Sequence, residues 1–132
     1  MFSTKGRYAL RVMIDLASQD SDNYIPLKDI AERQDISKKY LEIIVKELVK
    51  GNLLTGVSGK GGGYKLTRNP DEYSVGEIIE QLEGTMAPVA CLEADAKKCP
   101  REGICNTLPM WTEFYQLEKD FFFGKKLSDL IN

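Results

Sequence analysis

Apolar residues recur every three to four positions from the start of the chain. Tyr8, Val12, Met13, Leu16 and Ala17 share one face, which predicts an amphipathic helix over residues 5–18. The polar run Gln19 to Asn23 ends it. Pro26 suits a first helical position, and Leu27, Ile30 and Ala31 follow at i, i+3 and i+4, predicting a short helix over 26–34. After a tight connection at Asp35-Ile36, Ser37 is placed as an N-cap and Ile36 can staple onto Leu41. The third helix has a buried stripe of Tyr40, Leu41, Ile44, Val45, Leu48 and Val49. Lys38, Lys39, Glu42, Lys46 and Lys50 are left towards solvent or a partner, and Gly51-Asn52 closes the helix.

The period then shortens. Leu53 to Thr55 and Tyr64 to Thr67 read as two short strands joined by a glycine-rich hairpin over 56–63. Two helices with a tight turn followed by a β-hairpin make a winged helix. Asn69-Pro70-Asp71 turns the chain into Ser74 to Glu77, a capping box with Tyr73 and Ile78 as its staple, and the helix it starts stops at Gly84. From Thr107 onward Leu108, Trp111, Phe114, Tyr115, Leu117, Phe121 and Phe122 cover too wide an arc for a helix packed only on a small domain, so a partner helix is expected. The fold class expected is mainly α with a small β-hairpin. Residues 1–84 form a winged helix-turn-helix, 85–106 a cysteine-containing loop, and 107–132 a long helix and C-terminal tail.

Charge adds one distinction. The net charge is −2, but it is segregated: residues 1–65 carry 11 Lys/Arg against 8 Asp/Glu, and residues 66–132 carry 7 against 12. A polyanion-facing surface therefore belongs to the first half. No apolar run approaches the roughly 20 residues of a membrane span, and the N-terminus lacks the apolar stretch of a signal peptide. A soluble, cytoplasmic protein is expected.

Candidate chemistry lies in three places. The segment SGKGGGYKL fails as a P-loop because Gly61 follows Lys60, and fails as a dinucleotide fingerprint because Tyr64 stands where glycine is needed. As a wing, Gly61, Gly62 and Gly63 let the backbone approach a sugar-phosphate chain, while Lys60 neutralises a phosphate or enters a minor groove. Ser37, Lys38, Lys39 and Tyr40 form the first turn of the helix that a helix-turn-helix pushes into the major groove; Lys46 lies further along, within reach of phosphate. An enzyme is not expected, since the chain has no histidine, no convergent carboxylate pair and no intact nucleotide motif.

All three cysteines, Cys91, Cys99 and Cys105, fall in one polar loop. Three thiols and no sign of secretion argue against a disulfide framework. Structural zinc prefers cysteines two to four residues apart and four protein ligands, and the loop offers neither. Neighbouring Lys97, Lys98 and Arg101 favour thiolates, which suits metal binding or oxidation; an iron-sulfur cluster would need a non-cysteine fourth ligand.

TKGRYALRVMIDLA at 4–17, ISKKYLE at 36–42, GKGGGYKL at 59–66 and the CX7CX5C run followed by Trp111 together resemble the IscR-type, or Rrf-type, winged-helix transcriptional regulators. The resemblance implies a homodimeric regulator that binds double-stranded DNA at a palindromic operator, and a repressor is expected. Its dimer would form through the last helix, with Trp111, Phe114, Tyr115, Phe121 and Phe122 at the interface. It further implies an iron-sulfur cluster on Cys91, Cys99 and Cys105, and DNA contacts from Ser37, Lys38, Lys39, Tyr40 and Lys46 and from Lys60 to Tyr64. The chain departs from the pattern at Leu108 (histidine in the family), Arg7 (aspartate in some members) and Ser58 (often arginine). The alternative is a cluster-free regulator that contacts a metabolic enzyme through its acidic half, the cysteines acting as a thiol switch or having no sensing role.

Overall fold

A computed structural model describes residues 2–19, 22–94, 96–97 and 103–131. Five α-helices and one hairpin follow in the order α1 (Thr4–Ala17), α2 (Leu27–Gln34), α3 (Lys38–Lys50), β1 (Leu54–Val57), β2 (Gly63–Leu66), α4 (Val75–Glu83) and α5 (Leu108–Gly124). The predicted caps are present. Ser37 Oγ accepts from Tyr40 N at 3.1 Å. Ser74 Oγ accepts from Glu77 N at 3.1 Å while Glu77 Oε2 accepts from Ser74 N at 2.9 Å, closing the capping box. Pro26 differs slightly from expectation. Its ψ of 142° keeps it outside α2 as the cap residue, and its carbonyl accepts from Asp29 N and Ile30 N.

The main core is formed where α1, α2, α3 and α4 meet, with Val12, Met13, Ile30, Leu41, Ile44, Val45, Leu48 and Ile78 fully shielded. The turn between α2 and α3 passes through Asp35 in the left-handed region (φ 54°), where the short polar side chain is tolerated. The hairpin is tighter than the strand propensities suggest. Leu54 pairs with Leu66 and Val57 with Gly63, which leaves residues 58–62 as the loop. Tyr64 also exchanges backbone hydrogen bonds with Ile25, 2.9 Å each way, so the segment before α2 lies against the hairpin as a third, one-residue strand. Gly63 is required there: a Cβ would collide with the Ile25 carbonyl.

Two features had no counterpart in the periodicity. Asp15 is only 4% exposed on α1. Its carboxylate accepts from Arg33 Nε and Nη2 at 3.0 and 2.8 Å and from Gln34 Nε2 at 3.0 Å, clamping α2 onto α1. Asp15→Ala is expected to cost about 2 kcal/mol, because a buried acceptor of a bidentate pair is lost while the Arg33 head keeps access to water. A thermal melt showing no loss would remove the clamp from this account. Tyr73 is the second feature. Its hydroxyl donates to Leu53 O at 2.8 Å and accepts from Thr67 N and Arg68 N, tying the base of the hairpin to the start of α4.

The chain then returns to the domain it left. Val75 N donates to Lys125 O at 2.7 Å, Leu127 N donates to Tyr73 O at 3.0 Å, and Leu127 is 0% exposed within the main core. A short 3-10 helix, Leu127–Leu130, completes this docking. A smaller cluster of Val75, Ile79 and Met86 takes up Phe2, Leu10, Tyr115 and Phe122, which packs α5 along α4. Gly76 permits the approach, since a Cβ there would press into the Phe123 ring.

Candidate nucleic-acid interface and cysteine segment

The buried stripe of α3 turns Leu41, Ile44, Val45 and Leu48 inward, and Lys38, Lys39, Glu42, Lys46 and Lys50 are exposed, as the spacing predicts. Ser37 caps the helix and is itself exposed. Tyr40 is half-buried, its ring 5.6 Å from that of Tyr8, so most of it braces α3 on α1. Beside α3 the hairpin exposes Lys60 and Gly61 to solvent, with Gly61 at φ 79°. Gly62 donates its N–H to Gly59 O and has no room for a Cβ beneath Val57 O. Gly63 and Tyr64 face inward, the glycine against Ile25 and the tyrosine ring over Gly56. Glu42, Lys46 and Val49 form one wall of a groove and Gly56, Val57, Ser58 and Tyr64 the other.

Ile43 escaped the sequence reading. It stands next to Ile44 and Val45 in one apolar run, yet it is 48% exposed. Only its rotation relative to the buried stripe would have revealed this.

Of the five aromatic positions expected at a partner helix, the structure divides the set. Tyr115 and Phe122 pack inward against Val75, Ile79 and Met86, and Phe122 meets Phe2 edge to face at 5.2 Å. Trp111 is half-buried against Phe114. Phe114 and Phe121 are exposed, and Met110 and Leu117 join them, Leu117 being 63% exposed. These four lie at spacings of four, three and four residues, the seam spacing of packed helices. Glu118 is half-buried on the same helix; its Oε1 has no partner among the described residues, and burial pushes its carboxyl above the usual range.

The cysteines are only partly described. Cys91 is exposed in the 3-10 turn Ala90–Leu92, and Cys105 is half-buried with its Sγ 3.4 Å from Thr107 Oγ1. Cys99, with Lys98 and Arg101, lies outside the described residues. Among the described residues no three Cys, Asp or Glu side chains converge to hold a metal ion. The described donors therefore do not by themselves fit an iron-sulfur cluster, which takes four ligands.

A helix-turn-helix with a capped, lysine-bearing second helix and an adjoining glycine wing defines a winged-helix DNA-binding protein. The model of the Rrf2 family, described as an iron-dependent transcriptional regulator, matches residues 2–132, and the chain belongs to that family. It is 39% identical over 111 residues to protein rrf2 of Nitratidesulfovibrio vulgaris, covering 84% of this chain and 73% of that one. It is 35% identical over 130 residues to the regulator IscR of Pectobacterium atrosepticum, covering 98% and 78%. The solved structure of CymR, the global cysteine regulator of B. subtilis, superposes with a TM-score of 0.77 at 35% identity, covering 98% of this chain and 95% of CymR. The protein is thus a DNA-binding transcriptional regulator, not an enzyme. Among the described residues no helix is long and apolar enough to cross a membrane.

Proposed function

We propose that the protein is a cytoplasmic homodimer that reads a palindromic operator with two winged helices and represses transcription in response to the state of its cysteine segment. The observation that carries this reading is the outward face of α3, where Lys38, Lys39, Lys46 and Lys50 are all exposed beside the wing lysine Lys60. Residues 1–84 hold the DNA, 85–106 sense, and 107–132 join the two copies. The exposed seam of Met110, Phe114, Leu117 and Phe121 supports a second copy of α5 as its partner. Ser37 to Tyr40, Lys46 and the Lys60 to Tyr64 hairpin make the DNA contacts. Within that set the exposed lysines and Gly61 have direct access, and Tyr40, Gly63 and Tyr64 position them.

Cys91, Cys99 and Cys105 are the ligands in the iron-sulfur reading, which the description of the family as iron-dependent supports. A thiol switch without metal is the second reading, supported by the likeness to the cysteine regulator CymR and by the exposure of Cys91. Anaerobic purification with iron and sulfide counts, wild type against Cys99→Ala, separates them. Iron and sulfide are expected with the wild type and absent from the variant. A metal-free wild type whose operator affinity changes reversibly on oxidation would replace the cluster with the switch. Operator selection with both forms is expected to return a palindrome whose half-sites lie about 10 bp or a multiple apart, since two recognition helices must enter major grooves on one side of the duplex. No enriched palindrome with either form would end the reading.

A further inference from the structure

We propose that Ile43 reads the 5-methyl group of a thymine in the major groove, and so helps to set which operator the protein selects. The inference rests on the reading of α3 as the recognition helix.

The argument is angular. Successive residues of a helix turn by about 100°. The buried stripe Leu41, Ile44, Val45 and Leu48 defines the inward direction of α3, and Ile43 points roughly opposite to its middle. Lys39 lies one turn before it, Lys46 one turn after and Lys50 two turns after, all exposed. Ile43 is therefore the apolar centre of a basic band, in the second turn of α3, about 7.5 Å along the axis from Lys38. The first two turns of such a helix are the part that reaches base edges. Lysines on either side pair with phosphates or guanine edges, whereas a branched hydrocarbon has one favourable partner on the floor of the groove, the thymine methyl. Ile43 does not line the groove between α3 and the wing. The groove between α3 and the wing runs along the Glu42, Lys46 and Val49 side of the helix, and the side chain remains 48% exposed.

The experiment is a methyl scan of the selected operator. Each thymine of a half-site is replaced in turn by deoxyuridine, which differs only in lacking the methyl, and binding is measured by fluorescence anisotropy with wild type and Ile43→Ala. For the wild type, one position is expected to lose about fourfold in affinity, the equivalent of one methyl group removed from an apolar contact. For Ile43→Ala, thymine and uracil at that position are expected to bind equally, with the salt dependence unchanged. Ile43→Asn is expected to shift the selected base there towards adenine, which asparagine recognises in bidentate fashion. A selected operator with no methyl-dependent position, or one whose methyl dependence survives in Ile43→Ala, overturns the inference and leaves the recognition helix in place. If the wild type selects no sequence at all, the reading of α3 fails and the inference with it. Ile43 is exposed, so an unchanged melting curve is expected for both variants.

Discussion

Replacing Lys38, Lys39 and Lys60 together by alanine is expected to lower operator affinity by on the order of 100-fold or more at about 0.1 M salt. All three side chains are exposed, and no hydrogen bond or ion pair to another protein group is observed for them among the described residues. Their removal therefore leaves the fold intact, and an unchanged melting temperature is part of the expected result. The mechanism is counterion release. Each lysine that neutralises a phosphate frees a condensed cation, so the slope of log affinity against log salt should become shallower by about 0.9 per contact, or about 3 for the three lysines of one chain. A loss of affinity without a change in slope would mean that the lysines act on bases rather than phosphates. Affinity within about threefold of wild type would remove α3 and the wing from the interface, and would favour regulation through protein contact.

The three lysines were legible because they obey local rules. Ser37 sets the start of α3 through its own hydroxyl, so the phase of the helix, and with it the outward face, follows from neighbouring residues. The capping box at Ser74 and Glu77 was readable for the same reason. What remained hidden depends on residues distant in the chain. Ile43 looks buried in the string Ile-Ile-Val, and only the helix angle frees it. Asp15 looks like an ordinary polar position of an amphipathic helix until Arg33, 18 residues on, closes over it. Gly63 looks like part of a flexible wing, yet it is held by the Ile25 backbone on the far side of the hairpin. The aromatic arc of α5 is visible in the sequence, and its width alone points to a partner helix. The structure accounts for part of that width within the chain, since Tyr115 and Phe122 face α4 while Phe114 and Phe121 do not.

Leu127→Ala is expected to destabilise the protein by about 3 kcal/mol, although it lies beyond every helix of the DNA-binding unit. The side chain is fully buried in the main core, and its backbone N–H is held by Tyr73 O. Truncation leaves a cavity among residues fixed by other contacts, including the Tyr73 hydroxyl on Leu53 O, so little collapse can relieve it. For a chain of this size that loss lowers the melting temperature by roughly 12 °C, measured at one protein concentration because association would shift it. Leu130→Ala is the control. That side chain is 38% exposed, and its truncation should cost no more than about 1 kcal/mol. Equal effects from the two variants would mean that the tail does not dock as described. The expected difference makes the tail an anchor: α5 is held to the winged helix at its C-terminal end by Lys125 O and Leu127, and along its length by Tyr115 and Phe122. A helix fixed at those points cannot shift along its axis without disturbing either the α4 surface or the buried Leu127 side chain.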